Sequence, residues 1–227
     1  MIKGIFFDAA GVLYKRSSPT ADYALVLLKN ANFAKSVSDE ENKDLAKMRL
    51  DASKGQTSHE SYWHHFLLFH GVNNLQERTE MIKKIVDFSN SVDPVPSCRE
   101  TLSELKKRGF TLGIISDTIY PLEWKMTRLA KAGVADLIEI IACSTDLGMH
   151  KPDPTFYRYA VNQANLTPPE TAFVGHDIKE LRGARRAGMM TVAVNYDPGA
   201  KADHYCRAIN EMLQIPVFAL LSEPVER

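Results

Sequence analysis

Four short stretches of the chain carry side chains suited to chemistry on an anionic group. Asp8 ends the run IKGIFF, Ser116 with Asp117 and Thr118 ends FTLGII, Lys151 sits in GMHKPDP, and His176 to Glu180 follow TAFVG. A carboxylate can serve as nucleophile, a hydroxyl and a cation can hold the group being moved, and a terminal acidic cluster can hold a metal. Converging on one edge, these are the parts needed to transfer a phosphoryl group. Lys151 has a double duty in such a set, because it neutralises both Asp8 and an incoming phosphate and lets two anions approach.

Buried strands must bring them together. IKGIFF (2–7), FTLGIIS (110–116), LIEIIACS (137–144), TAFVG (171–175) and MTVAVNY (190–196) are apolar, rich in strand-forming residues and bounded by polar or glycine positions. CRETLSELKKRGF, PLEWKMTRLAKAGV, TFYRYAVNQANL and KELRGARRAGM alternate with them and carry apolar residues at helical spacing. This alternation predicts an α/β fold with a doubly wound, mostly parallel sheet, whose ligands bind beyond the carboxyl ends of the strands. From about Ser18 to Asn90 the alternation stops and four helical patterns follow one another, which predicts an all-helical insertion. DPVPS (93–97) marks the return, giving a core of residues 1–16 and 93–227 and a helical cap of 17–92.

Length and composition narrow the partners. The 227 residues, 44% hydrophobic, suffice for one core plus an insertion. Lys plus Arg equals Asp plus Glu at 28 each, so no net field favours nucleic acid or an anionic membrane, and a small-molecule substrate is expected. No apolar run is long enough to span a bilayer and the N-terminus reads as a strand, so a cytoplasmic monomer or homodimer is expected. Cys98, Cys143 and Cys206 are an odd, widely spaced set that reads as reduced thiols.

With DAAGVL, IISDT, HKPDP and VGHDIKELRGARRAGM around them, the four stretches resemble the haloacid dehalogenase superfamily of hydrolases over essentially the whole chain. The resemblance implies Asp8 as nucleophile, Ser116 and Lys151 as ligands of the transferred group, and magnesium held at the last acidic motif. It implies a substrate lined by Ala9, Ala10, Gly11, Ser116, Asp117 and Thr118, with Lys54 of Lys54-Gly55-Gln56 reaching in from the cap. Gly11 lets the loop turn so that the Ala10 carbonyl can face a metal shared with Asp8, Asp177 and Glu180. The function it implies is a phosphatase on a small phosphorylated metabolite.

Two positions depart from that pattern. Ala10 stands where most phosphatases of the family have a second aspartate as general acid and base, a group worth about 10²- to 10⁴-fold. The gap points to leaving groups that need no proton. Phosphonoacetaldehyde hydrolases, with Ala here and a cap lysine, and haloacid dehalogenases, which expel halide without a metal, are the alternatives. Lys47 or Lys54 would serve the first and Tyr157 the second, although the lysines read first as solvated surface and Tyr157 first as helix packing. A non-catalytic ligand-binding relative is a third. His176 stands at the usual first metal position, and magnesium prefers oxygen, so Asp177 or Glu180 must supply the carboxylate.

Other chemistry-like clusters have simpler readings. His59, His64, His65 and His70 do not have the spacing of a zinc-protease motif and alternate with aromatic residues, as in an amphipathic helix. Trp124 reads as packing, and Arg182 to Arg186 as a solvated face.

Overall fold

The computed structural model describes residues 1–33 and 35–218 of the chain. In chain order these form strands β1 (Gly4–Phe7) and β2 (Tyr14–Lys15), then helices α1 (Thr20–Asn30), α2 (Asp39–Ser53), α3 (His59–Phe69) and α4 (Leu75–Asn90). There follow β3 (Asp93–Pro94), α5 (Cys98–Lys107), β4 (Thr111–Ser116), α6 (Leu122–Lys131), β5 (Ile140–Cys143) and α7 (Ser144–Leu147). The chain continues through α8 (Pro154–Gln163), β6 (Thr171–Gly175), α9 (Ile178–Ala187), β7 (Met190–Val194) and β8 (His204–Cys206).

Six of the strands form one parallel sheet in the order β5-β4-β1-β6-β7-β8. From β1 the chain adds β4 and β5 on one side and β6, β7 and β8 on the other, so the winding reverses at β1. Phe7 is in register with both Ile114 and Val174, which sets the ends of β1, β4 and β6 side by side. Successive side chains point to opposite faces. Ile5, Phe7, Ile114 and Val174 pack with Leu102, Leu105 and Leu129 of α5 and α6, while Phe6, Ile115 and Phe173 pack with Phe156, Leu181 and Ala184 of α8 and α9. Both faces being covered is why these strands read as continuous apolar runs.

Helices α1 to α4 have their own apolar cluster, centred on Leu28, Trp63, Leu67 and Ile85, which Ile119 and Tyr120 join from the loop after β4. Trp63 Nε1 donates to the Tyr120 hydroxyl at 3.2 Å, tying α3 to that loop. Local chemistry starts these helices: Ser38 and Glu41 form a reciprocal capping box on α2, and Ser58 and Asn74 cap α3 and α4. β2 and β3 pair antiparallel where the chain leaves for the helices and where it returns.

Two elements differ from the expected ones. The strand expected over 137–144 is confined to Ile140–Cys143, because Ala135–Leu137 forms a 3₁₀ turn and Ser144 opens α7. β8 was not expected; of its three residues only Cys206 is buried, too little to show a period. The three cysteines are free and buried, and burial pushes the Cys98 thiol up to about 12. No helix among the described residues is long and apolar enough to cross a membrane.

The expected solvated face of α9 is interrupted by Gly183, which presses on the loop after Lys151. A Cβ at Gly183 would lie 2.8 Å from the Pro152 carbonyl oxygen and 2.9 Å from its Cα. Gly183→Ala should therefore destabilise the protein by about 1–3 kcal/mol, lowering the urea midpoint without changing the slope of the transition.

Candidate active site

The strand ends deliver the chemistry-bearing residues to one place. Asp8 follows β1 and its backbone N–H donates to the Val174 carbonyl at 2.8 Å, which fixes it against β6. It is 5% exposed, Ser116 at the end of β4 is 1% exposed, and Lys151 is 3% exposed. The Lys151 ammonium donates to Asp8 Oδ1 at 2.6 Å and to Glu180 Oε1 at 2.5 Å. Burial works against its charge, but Asp8, Glu180 and Asp117 together hold Lys151 well above the ordinary lysine range.

One ammonium compensates only one of two carboxylates. Burial, and then the negative charge of Asp8, push the Glu180 carboxyl up to about 8, with Lys151 pulling it back only in part. Its Oε2 is buried and has no hydrogen-bond partner. His176 stands nearby, with Nε2 4.0 Å from Asp8 Oδ2 and Nδ1 3.9 Å from Asp197 Oδ1. Asp8, His176 and Glu180 each offer a ligand atom, and these atoms lie within 4.8 Å of one another. An excess negative charge, an unpaired carboxylate oxygen and three converging donors fit a divalent cation. The imidazole nitrogen makes the set less hard than the all-oxygen set magnesium favours.

The structure brings some of the expected site residues together and places others elsewhere. Asp177 is absent from that cluster, because its Oδ1 accepts from the backbone N–H groups of Lys179 and Glu180 and caps α9. Ala9 is fully buried in the core, and its carbonyl accepts from Leu13 and Tyr14, so its side chain packs instead of facing a ligand. Gly11 has φ +84°, the turn expected of it, and His176 lies over it. Lys54 ends α2, and Gly55 rests on the Thr145 carbonyl where no Cβ would fit; neither lines the cavity described below. Lys47 is exposed and is also outside it. Tyr157 is buried, its hydroxyl donates to the Glu180 backbone carbonyl at 2.8 Å, and its ring meets Phe173 edge-on, so it positions the first turn of α9. His59 lies against Tyr120 and Trp124, and His65 and His70 donate to carbonyls one turn back, as an amphipathic helix requires.

Ala10, Asp117 and Thr118 line a cavity of ≈ 580 Å³ between the strand ends and the helices, with Tyr62 and Trp63 among its apolar walls. Asp117 Oδ1 accepts from the Lys151 backbone N–H at 3.1 Å, and its Oδ2 is 3.5 Å from His150 Nε2. Burial pushes its carboxyl up, against the pull of Lys151 and His150. Thr118 donates its N–H to Ser144 Oγ at 3.0 Å. Lys125, which sequence reasoning passed over, is 2% exposed and donates to Ser116 Oγ at 2.7 Å and to the Tyr14 hydroxyl at 3.0 Å. A signal existed: Lys125 shares a helical face with Leu122 and Leu129, where an apolar residue is expected.

Comparison with known proteins gives a consistent picture. A family model described as haloacid dehalogenase-like hydrolase matches residues 5–194. The chain is 25% identical over 203 residues to a glyceraldehyde 3-phosphate phosphatase of Methanopyrus kandleri, covering 86% of this chain and 84% of that protein. It is 32% identical over 114 residues to a phosphoserine phosphatase of Thermus thermophilus, covering 48% of this chain and 45% of that one, so this second match spans about half the relative's length. In structure it resembles a 2-haloacid dehalogenase from Pseudomonas syringae, with TM-score 0.70, 22% identity, and coverage of 94% of this chain and 97% of the other.

The uneven charge at Lys151 has a consequence for stability. The folded chain holds the Glu180 proton up to about pH 8, whereas the unfolded chain releases it near 4.5. In that window the folded state binds the extra proton, so Glu180 makes stability fall as pH rises. Thermal midpoints from pH 5 to pH 8 should show this slope in the native protein and a flatter one in Glu180→Gln.

Proposed function

The chain belongs to the haloacid dehalogenase-like hydrolases, and on that footing we propose that it is a phosphatase acting on a small phosphorylated metabolite through Asp8. The observation that carries this reading is the Asp8 carboxylate, buried at the winding reversal of the sheet and bonded through Oδ1 to the Lys151 ammonium. In this reading an Asp8 oxygen attacks phosphorus, the leaving oxygen departs with the ester's bonding pair, and water then cleaves the aspartyl phosphate. Lys151 and the Ser116 hydroxyl hold the phosphoryl oxygens, and Lys125 keeps that hydroxyl oriented through its 2.7 Å bond. Asp8, Glu180 and His176 would hold a divalent cation, magnesium by family resemblance, together with the Ala10 carbonyl. When bound, such an ion neutralises charge developing on the phosphoryl group.

Ala10 shapes the substrate preference. With no carboxylate there to protonate the leaving group, esters with acidic leaving groups react fastest. Asp8→Asn should abolish hydrolysis of an aryl phosphate; undiminished turnover would remove Asp8 from the role of nucleophile. Native protein should hydrolyse an aryl phosphate about 10²- to 10⁴-fold faster than an alkyl phosphate, and Ala10→Asp should narrow that gap. Release of halide from a 2-haloacid in the presence of a chelator, without phosphate ester hydrolysis, would instead establish the carbon-directed alternative.

A further inference from the structure

The cavity beside Ser116 is lined by more positive charge than the hydrolytic step requires. Arg16, Arg49, Lys125 and Arg128 all line it, and Asp117 is the carboxylate among its lining residues. Asp117 is already committed to the Lys151 backbone and His150. None of the four cations forms an ion pair among the described residues.

Arg128 is the telling member. It is 1% exposed, yet its partners are neutral: Nε donates to Asn90 Oδ1 at 3.1 Å, Nη2 donates to Ser89 Oγ at 3.2 Å, and the guanidinium lies 4.7 Å from the Tyr120 ring centre. Burial lowers its pKa, and Arg16 adds repulsion against the modest pull of Tyr14 and Tyr120. Arg16 is held in the same way, its Nε donating to the Ser89 carbonyl at 3.0 Å. Buried charge without a counter-ion is costly, and fixing two guanidinium groups from the end of α4 sets their remaining donors in advance. Lys125 and Arg128 stand three residues apart on α6, hence roughly 5 Å apart along one face. Lys125 bonds Ser116, so Arg128 lies one helical turn beyond the group that would hold the phosphoryl oxygens.

We propose that this cavity binds a second anionic group of the substrate, so that the preferred ester is a short-chain phosphate carrying a carboxylate or another phosphate. The second anion is paired by Arg128 and Arg16, while the ester phosphate lies at Asp8, Ser116 and Lys151. This assignment rests on the phosphatase reading for the place of the ester phosphate.

Calorimetric binding separates the two, because it needs no turnover. Dissociation constants of the whole protein are compared for phosphoglycerate, a three-carbon bisphosphate and glycerol phosphate, the last having no second anion. At least one dianionic-headed ligand should bind about tenfold or more tightly than glycerol phosphate, the tighter of the two naming the second group. That advantage should shrink to within about threefold in Arg128→Gln and in Arg16→Gln. Circular dichroism checks the fold of each variant, and Arg16→Gln, on a half-buried residue, decides the matter if Arg128→Gln does not fold. No advantage in the native protein, or the same advantage in the folded variants, overturns the proposal. If the native protein hydrolyses no phosphate ester, the phosphatase reading falls while the binding comparison still judges the cavity.

Discussion

A single buried ammonium, that of Lys151, placed between the carboxylates of Asp8 and Glu180, is the interaction on which the rest of the site depends. Without it two acids would face each other in a poorly solvated place, and at least one would take up a proton. With it, the Asp8 carboxylate is matched, while Glu180 keeps its proton up to about pH 8 and has an oxygen without a partner, an acid that a bound cation would deprotonate. The same ammonium lies near the Phe173 ring at 5.9 Å, so the sheet itself contributes to holding the charge.

Holding three titratable groups at such separations requires a stiff frame. Asp8 is fixed by the register of β1 between β4 and β6, and Glu180 by the first turn of α9, which Asp177 caps and the Tyr157 hydroxyl engages. Lys151 comes from a loop, where position is harder to impose, and the contact of Pro152 with Gly183 supplies the constraint. A loop pressed against a helix that has no side chain at the contact has little room to shift. Thus α9 locates both the acid and the loop that carries its partner.

Strands β1, β4, β6 and β7 were legible because each is buried along nearly its whole length and therefore apolar. The four helices after β2 were legible from their periodicity. Asp8 and Ser116 stood out because polar residues interrupt apolar runs at strand ends, and Lys151 because HKPDP matches a family motif. What the sequence hid depends on side-chain direction. Asp177 and Glu180 are equivalent acids on paper, but the backbone turns one onto the helix end and the other toward Asp8. Lys125 and Arg128 were not singled out: Lys125 interrupts the apolar face of Leu122 and Leu129, but the burial of Arg128 becomes visible only when the surrounding walls are in place.

Those walls explain how a chain with equal numbers of acids and bases can handle an anion. The two kinds of group are segregated: the acids Asp8 and Glu180 sit around Lys151, and unpaired positive charge lines the adjoining cavity. On the proposed phosphatase reading, a phosphate ester approaching Asp8 would meet repulsion from that carboxylate, which Lys151 cancels in part. The cavity cations would offset the rest from the substrate's far side, attracting the anion and orienting its ester bond toward Asp8. Such an arrangement favours substrates whose charge is divided between two ends over those that carry it at one. On the same reading, the absence of an acid at Ala10 would limit which bonds break, and the cationic wall would limit which molecules are held there; the two would act on different ends of one substrate.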